Sequence, residues 1–491
     1  MGRYNLSMTD AVDVIVIGAG PAGSVTASLL AQLGYSVEIW ETRPFPRFRI
    51  GESLPPRAVS LIKHLGFGPA VGEANFAVME GHTSIWSDGV PKRAVFEGEA
   101  GLQVDRGRFD QVLIEASQVP IYMRRMATGL VREGTRVAGA SFIEGSKTGR
   151  VRARWVVVAA GPRSRFGRST GPRKTHLSQW GIVGYWRQSE HPPGSQMNDT
   201  IIESFPDGWI WSLRLASDLR NVTVLFGPDS LVRVRQGVEW FYRKAVGAAS
   251  FTNGLLEGAT LNSKPVGVDA SWLCVENFSE PGLLLVGDSG SVIDPLTSQG
   301  VYKAMCAAMT ASAVIHTSLQ KPQMEEVALA YFDEEERRTF DGYAAGSVKT
   351  FRDEQRWPES PFWEERHHLQ TWDTLLVGKS ETRSSFPSEL TASIEAGRSP
   401  DLNLVRDPSV SIESRPFLKG SEILMSNCVV TEALPYGYRG PQHEELVRLC
   451  RAVQDPRRLG EVVGNSHERA MVDVLRSISY LCQEGVLRKV E

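Results

Sequence analysis

Positions 12–17 are apolar apart from Asp13, are rich in β-branched side chains, and run straight into GAGPAG. A short apolar run closed by glycine predicts a buried strand. The next segment, SVTASLLAQLG, has helical spacing, and Ser36 to Trp40, ending at Glu41, predicts a second strand. Strand, helix and strand in succession predict a parallel α/β sheet. VRARWVVVAA (151–160) and GLLLVG (282–287) are further buried-strand candidates, each running into glycine. Between them the pattern changes: ESFPDGWIWSLRL and NVTVLFG alternate with period two, which predicts an antiparallel sheet across 180–265. A helical pattern then runs from Ser298 to about Arg338, and 352–372 is rich in Trp, Glu, His and Pro. Residues 376–420 carry Ser, Arg, Glu and Pro with little periodicity and predict a linker. Helical spacing returns after Pro441 in HEELVRLCRAV and ERAMVDVLRSISYLCQEGVLRKV, predicting a C-terminal helical module.

Composition narrows the class without deciding it. The 491 residues are 42% hydrophobic and 23% charged, ordinary for a globular enzyme with a sizeable core. A net charge of −3 gives no basic excess, which argues against nucleic acid or an anionic membrane surface as partner. The five cysteines, Cys274, Cys306, Cys428, Cys450 and Cys482, are scattered without CxxC spacing, so neither a disulfide framework nor a metal site is expected. MGRYNLSMTD lacks an apolar signal core and no apolar run is long enough to span a bilayer, so the expected location is the cytoplasm.

The strongest chemical signal is Gly18, Gly20 and Gly23 between a strand and a helix that begins at Pro21-Ala22. Those glycines allow a tight turn, close approach to a pyrophosphate and close helix packing, and the helix N-terminus attracts the phosphate charge. Glu41, 23 residues after Gly18 at the end of the second strand, stands where a carboxylate accepts hydrogen bonds from a ribose. Downstream, GLLLVGDSGSVIDP places Gly287 and Asp288 after a strand, with Asp294-Pro295 following and Gln299, Gly300 and Val301 opening a helix. This resembles a second flavin fingerprint, and the helix dipole would face the flavin's pyrimidine edge. Ala160-Gly161, ending the 151–160 strand, matches the alanine-and-glycine turn of two-dinucleotide-fold flavoproteins. Three signals in that order predict FAD where the first alone would fit NAD. The expected architecture is a Rossmann-type, aromatic-hydroxylase-like FAD-binding domain at 1–175 and 266–345. A substrate domain at 176–265, an irregular linker at 346–420 and a helical module at 421–491 complete it.

PRFRIGESLPP (46–56), VDRGRFDQVLIEA (104–116) and GDSGSVIDPLTSQGV together resemble the flavin-dependent halogenase and monooxygenase superfamily over roughly 12–340. The resemblance implies that Arg49, Glu52 and Ser53 lie near the flavin and that Arg108 belongs to the FAD-binding surface. Halogenases of this kind use a lysine after the GES segment, in a pattern like F-x-x-K-x-G, to direct hypohalous acid. Here FAVMEG carries Met79 at that place, with Lys92 nearby, and a thioether forms no chloramine. The DPLES glutamate of tryptophan halogenases is also missing, where Thr297 and Ser298 stand. The W-x-W-x-I-P signature survives in part as Trp209 and Trp211, with Arg214 for proline; period two alone would equally make them one buried strand face.

Without the lysine, the expected chemistry is oxygen transfer from reduced flavin to an electron-rich aromatic ring, reduced by NAD(P)H or external reduced flavin. The ESLPP and DPLTSQG forms are similar to the flavoproteins that mature tryptophylquinone enzymes. That similarity implies a tryptophan in a partner protein or peptide as substrate. Two alternatives stand beside it: a halogenase or hydroxylase of a small or carrier-bound aromatic, and a non-catalytic flavin-binding assembly factor. Glu52 is the candidate for proton handling, with Met79, Trp209, Trp211, Thr297 and Ser298 lining the substrate pocket. His82, Asp88, His367 and His368 are weaker acid–base candidates, each better read as a surface or hydrogen-bonded residue.

Overall fold

The computed structural model describes residues 8–188, 198–369, 403–430, 443–452, 457–458, 481 and 486–490. Two compact units divide the chain, 1–369 and 370–491. In the first unit the apolar strand Met8–Ile17 lies inside an eight-stranded sheet, parallel to Val37–Glu41 on one side and Lys147–Val158 on the other. Leu283–Leu285 adds parallel to the far side of Lys147–Val158, and Ile121–Met123 to the far side of Val37–Glu41. Val14, Ile15, Val16, Val156, Val157 and Leu284 are fully buried, as strands covered on both faces require. The register levels the strand ends: Ile17 sits opposite Trp40 and Val158, and Val158 opposite Leu285. The glycine-bearing loops that follow all open on that one edge. This is the α/β architecture the sequence predicted.

A second eight-stranded sheet runs in the order Thr260–Leu261, Trp180–Arg187, Leu219–Phe226, Gly208–Ala216, Asp199–Phe205, Gly81–Ile85, Pro91–Val95, with Val266–Asp269 also pairing Trp180–Arg187. The alternation across 180–265 forms its body. It also recruits Gly81–Ile85 and Pro91–Val95 from far upstream, and Gly81–Ile85 pairs parallel with Asp199–Phe205. These short strands carry polar and exposed positions, so no apolar pattern announced them. Ile182, Trp186, Ile210, Val222, Val224 and Phe226 point to one face and pack on Phe241, Tyr242, Ala245 and Val246 of the helix Val238–Ala248. Period two sends Val183, Tyr185, Trp209, Trp211, Asn221 and Thr223 to the other face. From there Tyr185 and Thr200 reach Glu52 and Ser53, beside a small sheet of Ser53–Leu54, Gly101–Gln103 and Ala77–Met79.

The long helical pattern after Ser298 is two helices, Gly300–Gln320 and Glu325–Arg352, divided at Lys321-Pro322 because proline disfavours a helical residue before it. The second helix continues into the stretch read as linker. That stretch also holds a short helix, Pro361–His367, whose Trp363 and Arg366 are fully buried. The Arg366 guanidinium lies 3.5 Å from the Phe362 ring centroid and donates to Gln179 Oε1 at 3.0 Å. Gln179 in turn donates to Asp294 Oδ2 at 3.4 Å, which also accepts from Trp272 Nε1 at 2.6 Å. A neutral amide thus spaces a buried cation from a buried acid. No helix among the described residues is long and apolar enough to cross a membrane.

The second unit contains the expected helix, His443–Ala452, together with strands. Ser411–Lys419 and Glu422–Val430 form a hairpin turning at Gly420 (φ +60°), so 411–419 is paired strand and not linker. Asn403–Arg406 pairs with Arg457–Arg458 and Leu487–Val490 in a three-stranded sheet. The final LRKV is therefore strand, whereas most of ERAMVDVLRSISYLCQEG and residues 370–402 lie outside the described residues.

Replacing Arg366 by alanine leaves Gln179 Oε1 buried without its donor and opens a cavity beside Phe351 and Phe362. The expected loss is about 2–5 kcal/mol of stability, read as a lower urea midpoint with an unchanged slope.

Candidate active site at the strand ends

Backbone packs on backbone where the parallel strands end. Gly18 has φ +105°, and a Cβ there would lie 2.5 Å from the Ala159 carbonyl oxygen. A Cβ on Gly23 would fall on the Gly18 carbonyl oxygen, whereas a Cβ on Gly20 would meet only open space and Arg47 Nη2 at 3.9 Å. Gly287 (φ +64°) lies against Ala22, a Cβ there being 3.1 Å from that of Ala22, and Gly161 N–H donates to Ser289 Oγ at 3.1 Å. The three glycine signals therefore touch one another.

The helix Pro21–Gln32 starts at Gly20 with no side-chain cap and no acid in its first turn, leaving oriented N–H groups for an anion. Gly300–Gln320 also starts uncapped; the Gln299 side chain turns away to accept from Arg57 Nε at 2.5 Å, and Val301 is buried behind it. Glu41 is buried and accepts from Ala19 N–H at 3.0 Å and Arg43 N–H at 2.9 Å, which fixes its carboxylate beside the glycine turn. Asp288 is half-buried and its carboxylate makes no hydrogen bond among the described residues. This donor and acceptor set fits FAD. The Gly18–Gly23 turn would hold the pyrophosphate, Glu41 the ribose, Asp288 the ribityl chain, and the 300–320 helix the pyrimidine edge. Pro295, Thr297 and Ser298 form the partly exposed turn before that helix, with Ser298 at φ +53°.

The two arginines named from the sequence each stand beside a more buried neighbour. Arg49 is exposed and among the described residues donates to the Phe48 carbonyl, at 3.3 Å, within electrostatic reach of Glu41 and Asp110; the buried one is Arg47, which bridges Glu41 at 3.2 Å and Asp110 at 2.8 Å. Arg108 is likewise exposed, 6.0 Å from the Phe76 ring centroid. Arg106 does the fastening: it pairs with Asp110 at 3.0 Å and donates to the Ile50 carbonyl at 2.7 Å, tying the IGES segment to its helix. PRFR and DRGRFD each offer two arginines two positions apart, and only the fold chooses between them.

Glu52 lies at the centre of the second face. Its Oε1 accepts from Tyr185 Oη at 2.8 Å, and Oε2 is buried with no partner among the described residues. Asn221 sits opposite Tyr185 across the strand pair, its amide beside the phenol. Burial pushes the Glu52 carboxyl up to about 7, against the pull of the Tyr185 hydrogen bond and Arg106. Ser53 Oγ and Thr200 Oγ1 lie 2.9 Å apart, and both hydroxyls donate to Met79 Sδ, at 3.3 and 3.0 Å. Met79 is thus a buried acceptor beside Glu52. Trp209 and Trp211 are buried on the same sheet face, and neither indole N–H has a partner among the described residues.

Other candidates stand elsewhere. His82 is exposed against Phe96, Asp88 pairs with Lys92 on the surface, His367 Nε2 is held by the Phe351 and Glu354 carbonyls, and His368 is exposed. Among the described residues no cluster of three or more metal-ligating side chains exists. A further buried pair went unforeseen. Lys303 Nζ donates to the Gly287 and Ser291 carbonyls at 3.3 and 2.7 Å, pinning the second fingerprint, and faces Glu336 on the next helix.

Two predictions follow from this packing. Gly23→Ala forces a Cβ onto a backbone oxygen and should weaken FAD binding on the order of 100-fold, read from flavin absorbance retained after gel filtration. Burial also raises Asp294 and Asp333 to about 6 and Glu336, like Glu52, to about 7, from usual values of 3.8 and 4.5. The folded state then binds more protons than the unfolded one between those values, so stability falls as pH rises through 6 to 7. The apoprotein should melt lower at pH 8 than at pH 6 by scanning fluorimetry, about 2 °C or more, and Glu336→Gln should flatten that slope.

A family model described as an FAD binding domain matches residues 11–340. The chain is 29% identical to a tryptophan 2-halogenase of Chondromyces crocatus over 381 residues, covering 73% of this chain and 71% of the relative. Among solved structures, the flavin-dependent halogenase CmlS superposes with a TM-score of 0.80 at 20% identity, covering 98% of this chain and 96% of its own. The peptidyl tryptophan dihydroxylase QhpG, essential for tryptophylquinone cofactor biogenesis, gives 0.69 at 22% identity, covering 97% and 99%. With its glycine turn, second fingerprint and level strand ends, this chain belongs to the FAD binding domain family and is an FAD-dependent oxidoreductase, similar to flavin-dependent halogenases and monooxygenases.

Proposed function

We propose that the chain is an FAD-dependent monooxygenase that hydroxylates an aromatic ring. The substrate is a tryptophan side chain of a partner protein or peptide, modified during biogenesis of a tryptophylquinone cofactor. The observation that carries this reading is Met79. At the place of the halogenating lysine the chain has a buried thioether that accepts from Ser53 and Thr200, so no ammonium directs a halogen there. The likeness to QhpG along almost the whole chain supports the substrate class.

FAD, once reduced by NAD(P)H or replaced by external reduced flavin, supplies oxygen activation; the chain supplies the rest. The buried face of Trp209, Trp211 and Thr223 keeps water from the ring. Glu52 Oε2 has no partner among the described residues and can carry a proton, while Tyr185 holds the opposite oxygen. A carboxyl poised at about 7 takes up or releases that proton near neutral pH. A second reading, a halogenase of a small or carrier-bound aromatic, is favoured by the tryptophan 2-halogenase relative and by the surviving Trp209 and Trp211.

Incubation of the FAD-loaded enzyme with reduced flavin, oxygen, bromide and a tryptophan-containing peptide separates the two. Intact-mass spectra should show added oxygen and no bromine. A brominated product overturns the hydroxylase reading.

A further inference from the structure

Lys303, the fourth residue of the helix Gly300–Gln320, is 1% exposed, a rare depth for a lysine. Its Nζ donates to the Gly287 and Ser291 carbonyls at 3.3 and 2.7 Å, so the ammonium lies directly behind the turn that carries Asp288. Among the described residues no carboxylate forms an ion pair with it. The acid that acts on it is Glu336 of the helix Glu325–Arg352, itself 3% exposed, whose Oε2 has no hydrogen-bond partner among the described residues. Two carbonyl dipoles satisfy the ammonium's hydrogen bonds but not its charge, and a buried charge is costly without an opposite one. Its place adds to that cost. The start of a helix carries positive partial charge, and the first turn of this one holds no acid. A cation buried at the positive end of a 21-residue helix is an arrangement that an anion bound at the strand ends would balance.

We infer that Lys303 is a positioning residue for FAD. It fixes the turn from Gly287 to Ser291 and holds behind it a buried positive charge that the cofactor's negative charge balances, with Glu336 competing as counter-charge. FAD at the strand ends is required for this, but neither a hydroxylated nor a brominated product is. Two consequences of opposite sign follow. Removing the ammonium takes positive charge from behind the flavin and disfavours the reduced form, which carries one more negative charge near neutral pH. Removing the carboxylate leaves the ammonium less compensated and favours the reduced form. The other groups that act on Glu336 are Asp333 and Glu335 on its own helix and Cys306 on the facing one. Cys274, on the strand Trp272–Val275, feels both Lys303 and Glu336. These four are unaltered when either Lys303 or Glu336 is replaced, so they cancel in the comparison.

The midpoint potential of bound FAD, read by spectroscopic redox titration at pH 8 and pH 6, tests this on FAD-loaded wild-type protein, Lys303→Met and Glu336→Gln. At pH 8 the Glu336 carboxyl, which burial pushes up to about 7, is ionised. There Lys303→Met should bind reduced FAD about 10-fold more weakly relative to oxidised FAD, which lowers the two-electron potential by about 30 mV. Glu336→Gln should favour reduced FAD several-fold and raise the potential. At pH 6 the wild-type carboxyl is protonated, so the Glu336→Gln shift should vanish while the Lys303→Met shift remains. A lysine that only pins the turn would weaken both redox forms equally and leave the potential in place. Potentials unchanged in both variants, or moved in the same direction, overturn the inference. If Lys303→Met fails to hold flavin, Glu336→Gln decides alone. A rise at pH 8 that is lost at pH 6 supports the assignment, and any other result overturns it.

Discussion

Everything at the catalytic edge depends on main chain touching main chain. Gly18 lies against Ala159, Gly23 against Gly18, and Gly287 against Ala22, so three loops separated by over a hundred residues share one small volume. The level register of Ile17, Trp40, Val158 and Leu285 delivers those loops to the same height. Any side chain larger than hydrogen would push the loops apart, and with them Glu41 and the uncapped start of the helix Pro21–Gln32. Parallel sheets place their ligand at such an edge because the strands end there and the helix dipoles point there.

How much was legible in the sequence follows from how strictly geometry fixes residue identity. A turn with no space for Cβ admits glycine alone, so the dinucleotide edge could be read directly. That Arg47 and Arg106, not Arg49 and Arg108, are the more buried members of their pairs could not be read, because each pair lies two positions apart in a loop or first helical turn where either can face inward. Tyr185 was invisible for another reason: its partner Glu52 is 133 residues away, and no local pattern links a strand phenol to a loop carboxylate. The strands at 81–85 and 91–95 and the helix Pro361–His367 are too short or too polar to show a period. The hairpin 411–430 was hidden by its half-exposed faces, which carry little apolar alternation.

The second sheet shows how one element serves stability and chemistry without compromise. The face toward the helix Val238–Ala248 is apolar and closely packed. Its reverse carries phenol, amide, hydroxyl and indole groups, several of them unpaired among the described residues, and reaches Glu52 and Ser53 through Tyr185 and Thr200. Period two separates these tasks residue by residue, so the polar face can vary while the core face stays intact. Two buried carboxyls, Glu52 and Asp294, are pushed up by burial to about 7 and about 6, and the neutral donors that meet them pull only part of the way back.

The hydroxyl pair of Ser53 and Thr200 carries a consequence at the level of the gene. Each hydroxyl now donates to the Met79 thioether, at the place where a lysine would put its δ-methylene and carry its ammonium two atoms further on. Methionine and lysine codons differ by a single base. The step between a side chain ending in a thioether and one ending in a charged amine is therefore among the shortest paths mutation can take, and it would also strip the two hydroxyls of their sulfur acceptor.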